Sequence, residues 1–215
     1  MKILKHHLQE RKFLFVLLSL VNFLLTPIHL LIFSSIPALI VVINFSLVIL
    51  AGISICKEER FKVIYYAIAV VTLIIIWLEY MSVGNFNLHV ARLIASLFFF
   101  SFLCFMMIKD LVQSKFFDLQ SILGAVAGYL FIGLIGGIIF EFIDTVLPRS
   151  FSHGEAIGGY IYYYFSFISI TTVGYGDITP ITPQAQSVTL IMSIIGQFYL
   201  AIVVALFVGK YLNKK

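Results

Sequence analysis

Charge is what this chain has least of. Only 11% of its 215 residues are Asp, Glu, Lys or Arg, while 61% are hydrophobic. Soluble domains average about 25% charged residues, so a water-facing globule is excluded. From Phe13 to Ile55 there is no Lys, Arg, Asp or Glu at all. Cysteine is nearly absent too. Cys56 and Cys104 stand alone in apolar context, which excludes a disulfide framework and points to buried thiols. No nucleophile motif, metal-ligand cluster or phosphate loop stands out, so neither an enzyme nor a resident cofactor is expected. The net charge of +4 is small, and the basic residues sit at the ends of apolar runs. That placement argues against nucleic acid and for contact with membrane lipid.

What is present is a series of apolar runs, and about 20 residues cross a bilayer as a helix. Residues 1–12 form a basic lead. It holds His6 and His7, read as part of a solvated arm near anionic lipid. No small-residue cleavage site follows the first run, so that run is read as a retained helix. Pro27, Ser34, Ser35 and Pro37 divide the uncharged stretch into a first helix, Phe13 to Leu31, and a second, Ile36 to Ile55. A third helix is expected from Val63 to Met81, with Trp77 and Tyr80 at an interface. A fourth is expected from Leu88 to Ile108, and a connector at 113–120 holds Asp118. The fifth helix spans Ile122 to Val146. Tyr160 to Thr171 is helical but too short to cross. A sixth helix, begun by Thr182 and Pro183 as cap and first residue, runs to Tyr211. The fold class is therefore all-α membrane protein, with a four-helix region at 13–112 and a second domain at 121–215. Of the 14 Lys and Arg, all but Arg92 and Arg149 fall on one side of this topology. The positive-inside rule then puts both termini in the cytoplasm of a multi-pass protein of the cell membrane.

Between the short helix and the sixth lies Thr171-Thr172-Val173-Gly174-Tyr175-Gly176-Asp177. Its chemistry is that of a row of backbone carbonyls able to turn toward one axis. This needs residues alternating between ordinary and left-handed backbone, and Gly174 and Gly176 supply left-handed positions without a Cβ penalty. An extended chain rises about 3.3 Å per residue, so successive carbonyls lie roughly that far apart. The Thr172 hydroxyl adds one more oxygen. Neutral oxygens so spaced can replace the water shell of a weakly hydrated cation.

Thr172-Val173-Gly174-Tyr175-Gly176-Asp177 resembles the selectivity filter of the potassium-channel superfamily. Gly196-Gln197-Phe198-Tyr199-Leu200-Ala201 resembles small bacterial members of the ion-channel family. The likeness is specific over 121–212; over 1–120 it rests on span count. It implies a re-entrant pore helix before the filter and a homotetramer around the ion path, with K+ held at Thr172, Val173, Gly174 and Tyr175. Thr171 and Asp177 would support the filter. Many relatives place an acid in the pore helix where this chain has Ile168, so Asp177 lacks that partner. Gly196 falls where potassium channels often carry a hinge. Below it Leu200, Val204, Val208 and Leu212 share a face that would line or gate the path; Tyr199, Val203 and Phe207 form the competing face. The pairs Gly124/Gly128 and Gly133/Gly137 would let the fifth helix approach the sixth helix or the pore helix closely.

A voltage sensor moves three or four charges per subunit, each worth about 2.3 kcal/mol per 100 mV. The fourth helix offers only Arg92, with Lys109 at its end, so voltage dependence is expected to be weak or absent. Arg92 is read as pairing with Glu79 or snorkelling to headgroups. Glu141, Asp144, His153 and Glu155 either gather cations and sense pH or form a solvated rim. Two other readings remain. One is a potassium-transporter subunit, which would repeat degenerate filters in one chain; the other is a non-conducting membrane protein that keeps the fold.

Overall fold

A computed structural model describes residues 12–31, 38–55, 59–82, 84–113, 119–152 and 159–212. Seven α-helices fall among them: α1 Lys12–Leu24, α2 Ala38–Ile53, α3 Glu59–Met81, α4 Phe86–Gln113, α5 Leu119–Val146, α6 Tyr160–Ile170 and α7 Pro183–Leu212. Two strands of two residues each, β1 Phe151–Ser152 and β2 Thr179–Pro180, pair antiparallel. The chain divides into two compact units, 1–128 and 129–215. The division falls inside α5, not in the connector between the fourth and fifth helices.

Within the described residues, four helices are long and apolar enough to cross a membrane: α3, α4, α5 and α7. α1 and α2 are apolar but shorter, so four of the six expected spans reach that length. The first helix was expected to run to Leu31. It is α-helical only to Leu24, and Thr26–Leu31 continues as a 3-10 helix. The cause is Pro27: the residue before proline is pushed out of the α region, and Thr26 turns its hydroxyl onto the Phe23 carbonyl instead. α4 is longer than expected at both ends. Asn85 caps it by accepting from the Leu88 amide at 3.2 Å, and the helix continues past Lys109 and Asp110 to Gln113. Several expected features lie outside the described residues. These are the arm with His6 and His7, the break at Ser34, Ser35 and Pro37, Cys56, Asp118, and the outer-loop residues His153 and Glu155.

In the first unit, consecutive helices pack: α1 on α2, α2 on α3, α3 on α4. Aromatic rings fill the space between them. Phe23 meets Phe45 edge-on at 4.9 Å, Phe45 meets Phe100, and Tyr65 stacks on Phe99 at 5.4 Å. Between α1 and α2, buried polar side chains bond to one another. Asn22 donates to Asn44 at 2.7 Å, and Asn44 donates to Thr26 at 2.8 Å, tying α1 and its 3-10 extension to α2.

In the second unit the ladder pairs Phe151 with Pro180 and Ser152 with Thr179. It fastens the segment before α6 to the segment after Asp177. Ser150, fully buried, is the knot beside it. Its carbonyl accepts from Ile181 N at 2.7 Å, its amide donates to Asp144 at 2.7 Å, and its hydroxyl accepts from Thr182 at 3.1 Å. Thr182 also accepts from the Ala185 amide at 3.3 Å, capping α7 with Pro183 as its first residue.

Candidate functional site

The site is built on α6, which lies against glycines of α5. A Cβ on Gly133 would fall 2.3 Å from the Phe167 ring, one on Gly136 2.3 Å from Ser166 Oγ, and one on Gly137 2.9 Å from the Tyr163 Cα. The glycine face at 133–137 therefore meets α6, the short helix before the loop. Gly124 faces elsewhere, toward the Phe13 ring of α1. Ser166 donates across the same close contact to the Gly133 carbonyl at 2.7 Å.

Two acids of α5 hold the other end of α6. Buried Glu141 accepts from the Tyr163 hydroxyl at 3.1 Å, and Asp144 accepts from Tyr162 at 2.6 Å as well as from Ser150 N. The solvated-rim reading of this pair is thereby corrected. Each carboxylate is engaged by hydroxyl donors of the short helix, because two tyrosines in its first turn point back at α5.

A helix leaves its last four carbonyls without intrahelical donors. All four of α6 are met. Phe167 O accepts from the Thr171 amide and hydroxyl, Ile168 O from Gly174 N, and Ser169 O from Thr172 N. Ile170 O accepts from Tyr129 Oη and Gln197 Nε2, both at 3.0 Å. The loop thus folds back on the helix that launches it. Within the loop, Thr172, Gly174 and Gly176 have φ of 60°, 52° and 79°, while Val173, Tyr175 and Asp177 stay outside the left-handed region. The two glycines supply two left-handed positions. The third is Thr172, a β-branched residue for which that conformation costs about 1–2 kcal/mol; its hydroxyl bonds the Thr171 carbonyl. All seven residues, 171–177, are exposed in the single chain.

Residues 128–213 match the family model described as an ion channel. This segment is therefore similar to an ion-channel domain. Together with the four helices long and apolar enough to cross a membrane, the match points to a multi-pass membrane protein. No curated protein and no solved structure matches the chain. The match coincides with the second compact unit, so the likeness resides in α5 onward.

At the C-terminal end of the loop, Asp177 has a partner that its sequence context did not announce. Tyr164, one helical turn before Ile168, donates its hydroxyl to Asp177 Oδ2 at 2.7 Å, and the Ile178 amide donates to Oδ1. Below the loop, α7 runs as unbroken helix through Gly196. A Cβ at 196 would lie 2.8 Å from the Ile170 carbonyl oxygen, so close packing alone calls for glycine here. Leu200, Val204, Val208 and Leu212 are all exposed. Tyr199, Val203 and Phe207 are half-buried, and the Tyr199 ring packs on Tyr129 at 5.9 Å.

Outside the matched segment, Arg92 Nε forms an ion pair with Glu79 Oε2. His89 joins it, its Nδ1 2.6 Å from Glu79 Oε1 and 3.4 Å from Arg92 Nη2. Sequence reading missed this third member, although His89 and Arg92 stand three apart on one helix and hence on one face.

Proposed function

We propose that this chain is the subunit of a potassium-selective channel in the cell membrane. Four copies surround one axis, K+ passes passively, and both termini face the cytoplasm. The observation that carries this reading is the alternation of left-handed backbone at Thr172, Gly174 and Gly176. Alternating handedness turns successive carbonyls to one side, and four such rows offer K+ the oxygen shell it leaves in water. One chain provides one row. Its exposure in the single chain fits a site completed by further copies around a closed symmetry axis. K+ is cargo, and no resident cofactor is invoked.

The exposed face Leu200, Val204, Val208 and Leu212 lines the path below the filter and closes it by excluding water. The face with Tyr199 is occupied in part by Tyr129. Bending near Gly196 opens the path. The pore helix directs its negative end at the cavity. α4 carries one arginine, so opening responds weakly or not at all to voltage.

The test is flux from liposomes holding purified protein, with opposed K+ and Na+ gradients. K+ should move and Na+ should be retained. Equal passage of the two ions would remove the selectivity claim, and a silent protein would favour a non-conducting role.

A further inference from the structure

Each of the first three carbonyls at the end of α6 is met by the loop that follows. Only Ile170 O is left to outside donors, and it receives two: Tyr129 from α5 and Gln197 from α7. Ile170 is fully buried. It stands two residues before Thr172, where the left-handed alternation begins. Gly196, beside Gln197, lets α7 approach until a Cβ would lie 3.0 Å from the Ile170 Cα. The Tyr129 and Tyr199 rings touch, so donor and helix are braced together.

We propose that Gln197 is a positioning residue for conduction, which with Tyr129 latches the last pore-helix carbonyl to α7 and so couples the placement of α7 to the geometry of the filter. The inference rests on the channel reading above. A displacement of α7 draws the Gln197 amide off Ile170 O. A buried carbonyl that loses a donor reorients toward another. The backbone that follows it is the start of the filter, at Thr171 and Thr172, so a turn of this carbonyl is passed directly to the left-handed position at Thr172. Tyr129 holds the carbonyl when Gln197 lets go, so neither donor acts alone.

The experiment is single-channel recording of purified protein in planar bilayers, with wild type, Gln197→Leu, Gln197→Glu, Tyr129→Phe and the Tyr129→Phe/Gln197→Leu pair. Gln197→Leu should lower open probability roughly fivefold to tenfold at unchanged unitary conductance, the worth of one part-buried hydrogen bond. The pair should lose more than the product of the single changes, because both donors serve one acceptor. Gln197→Glu is the decisive variant, since its carboxyl donates only when protonated. Its open probability should rise as pH falls, while that of the wild type stays flat by comparison. If only unitary conductance follows pH, the residue acts as a cavity charge and the latch is overturned. Multiplicative losses in the pair would overturn it as well. Should Gln197→Leu fail to assemble, the pH response of Gln197→Glu decides alone. A wild type that passes no current overturns the channel reading and this inference with it; a conducting wild type with unaltered gating in Gln197→Leu overturns the latch only.

Discussion

The two units aim their polar side chains at different targets. In the first, polar groups join one long helix to its neighbour. Asn22, Asn44 and Thr26 form one such tie and Glu79, His89 and Arg92 another. In the second, Glu141, Asp144, Gly133, Tyr129 and Gln197 converge on one helix of 11 residues. Hydrogen bonds in lipid fix whatever they join. The first arrangement stabilises a bundle; the second immobilises a short helix so that the loop after it keeps an improbable backbone. Burial follows the same division. Of the apolar window of α5, 61% is buried within the chain, against 17% for α7.

Three glycines with left-handed backbone allow the sharpest test. Gly84 in the first unit has φ of 86°, and Gly174 and Gly176 in the second have 52° and 79°. At none of the three would a Cβ meet another atom within 4 Å, so alanine brings backbone strain and no clash. That strain is about 1–2 kcal/mol per residue at each site. In a tetramer Gly176→Ala applies it four times around one axis, and K+ flux should fall more than about a hundredfold. Gly84→Ala carries the same local strain in a turn away from the filter sequence and should leave flux within about twofold. Comparable losses in both variants would end the idea that the second unit alone holds the conducting geometry.

Crowded glycines give the next largest effect. A Cβ at Gly137 meets the Tyr163 backbone at 2.9 Å, whereas at Gly52 it meets a Leu103 methyl at 2.7 Å. Backbone cannot step aside but a leucine rotamer can. Gly137→Ala should cost about 1–3 kcal/mol of stability and displace α6. Gly52→Ala should cost under about 1 kcal/mol. Thermal unfolding in detergent, followed with K+ flux, separates them: only Gly137→Ala should lose flux in protein that still folds.

Much of this was legible in the sequence because the governing features are local. An aromatic run too short to span, followed by alternating glycines and then a long apolar run, locates α6, the loop and α7. Glycine spacing marked the close face of α5, and a lone arginine drew attention to Glu79. What escaped depends on contacts across many residues. The two-residue ladder is too short to leave a period. Ser150 looks like any loop serine until Asp144, Thr182 and Ile181 converge on it. Thr172 takes a conformation that β-branched residues avoid, imposed by the bond from its amide to Ser169 O. Attention to the missing acid at 168 hid Tyr164, one turn upstream, whose longer side chain reaches Asp177.

In the first unit, Arg92→Gln would remove the charge from a pair whose members are mostly shielded, Arg92 at 12% and Glu79 at 22% exposure. His89 remains beside Glu79, so the loss should be moderate, about 1–2 kcal/mol. Open probability against voltage should be unchanged within error, because one charge near a helix end crosses little of the field. A flattened curve in this variant would show that the first unit senses voltage after all.

The smallest effect should come from Tyr164→Phe in the second unit. It deletes one exposed hydroxyl and its bond to Asp177, while Ile178 N still donates to the other carboxylate oxygen. An exposed hydrogen bond contributes little net stability, about 0.5–1.5 kcal/mol at most. The unfolding temperature should therefore hold. Asp177 nevertheless adjoins Gly176, the last left-handed position, and a freed carboxylate lets that end of the loop drift. Current under a sustained stimulus should decay about two- to fivefold faster than in wild type, with K+ over Na+ preference retained. The matching change in the first unit, Asn44→Leu, strips two buried hydrogen bonds and should lower the unfolding temperature more. Decay kinetics should nonetheless stay as in wild type. A current that decays faster in Asn44→Leu than in Tyr164→Phe would mean that bonds between long helices, and not those gathered on α6, set how long the filter keeps its shape.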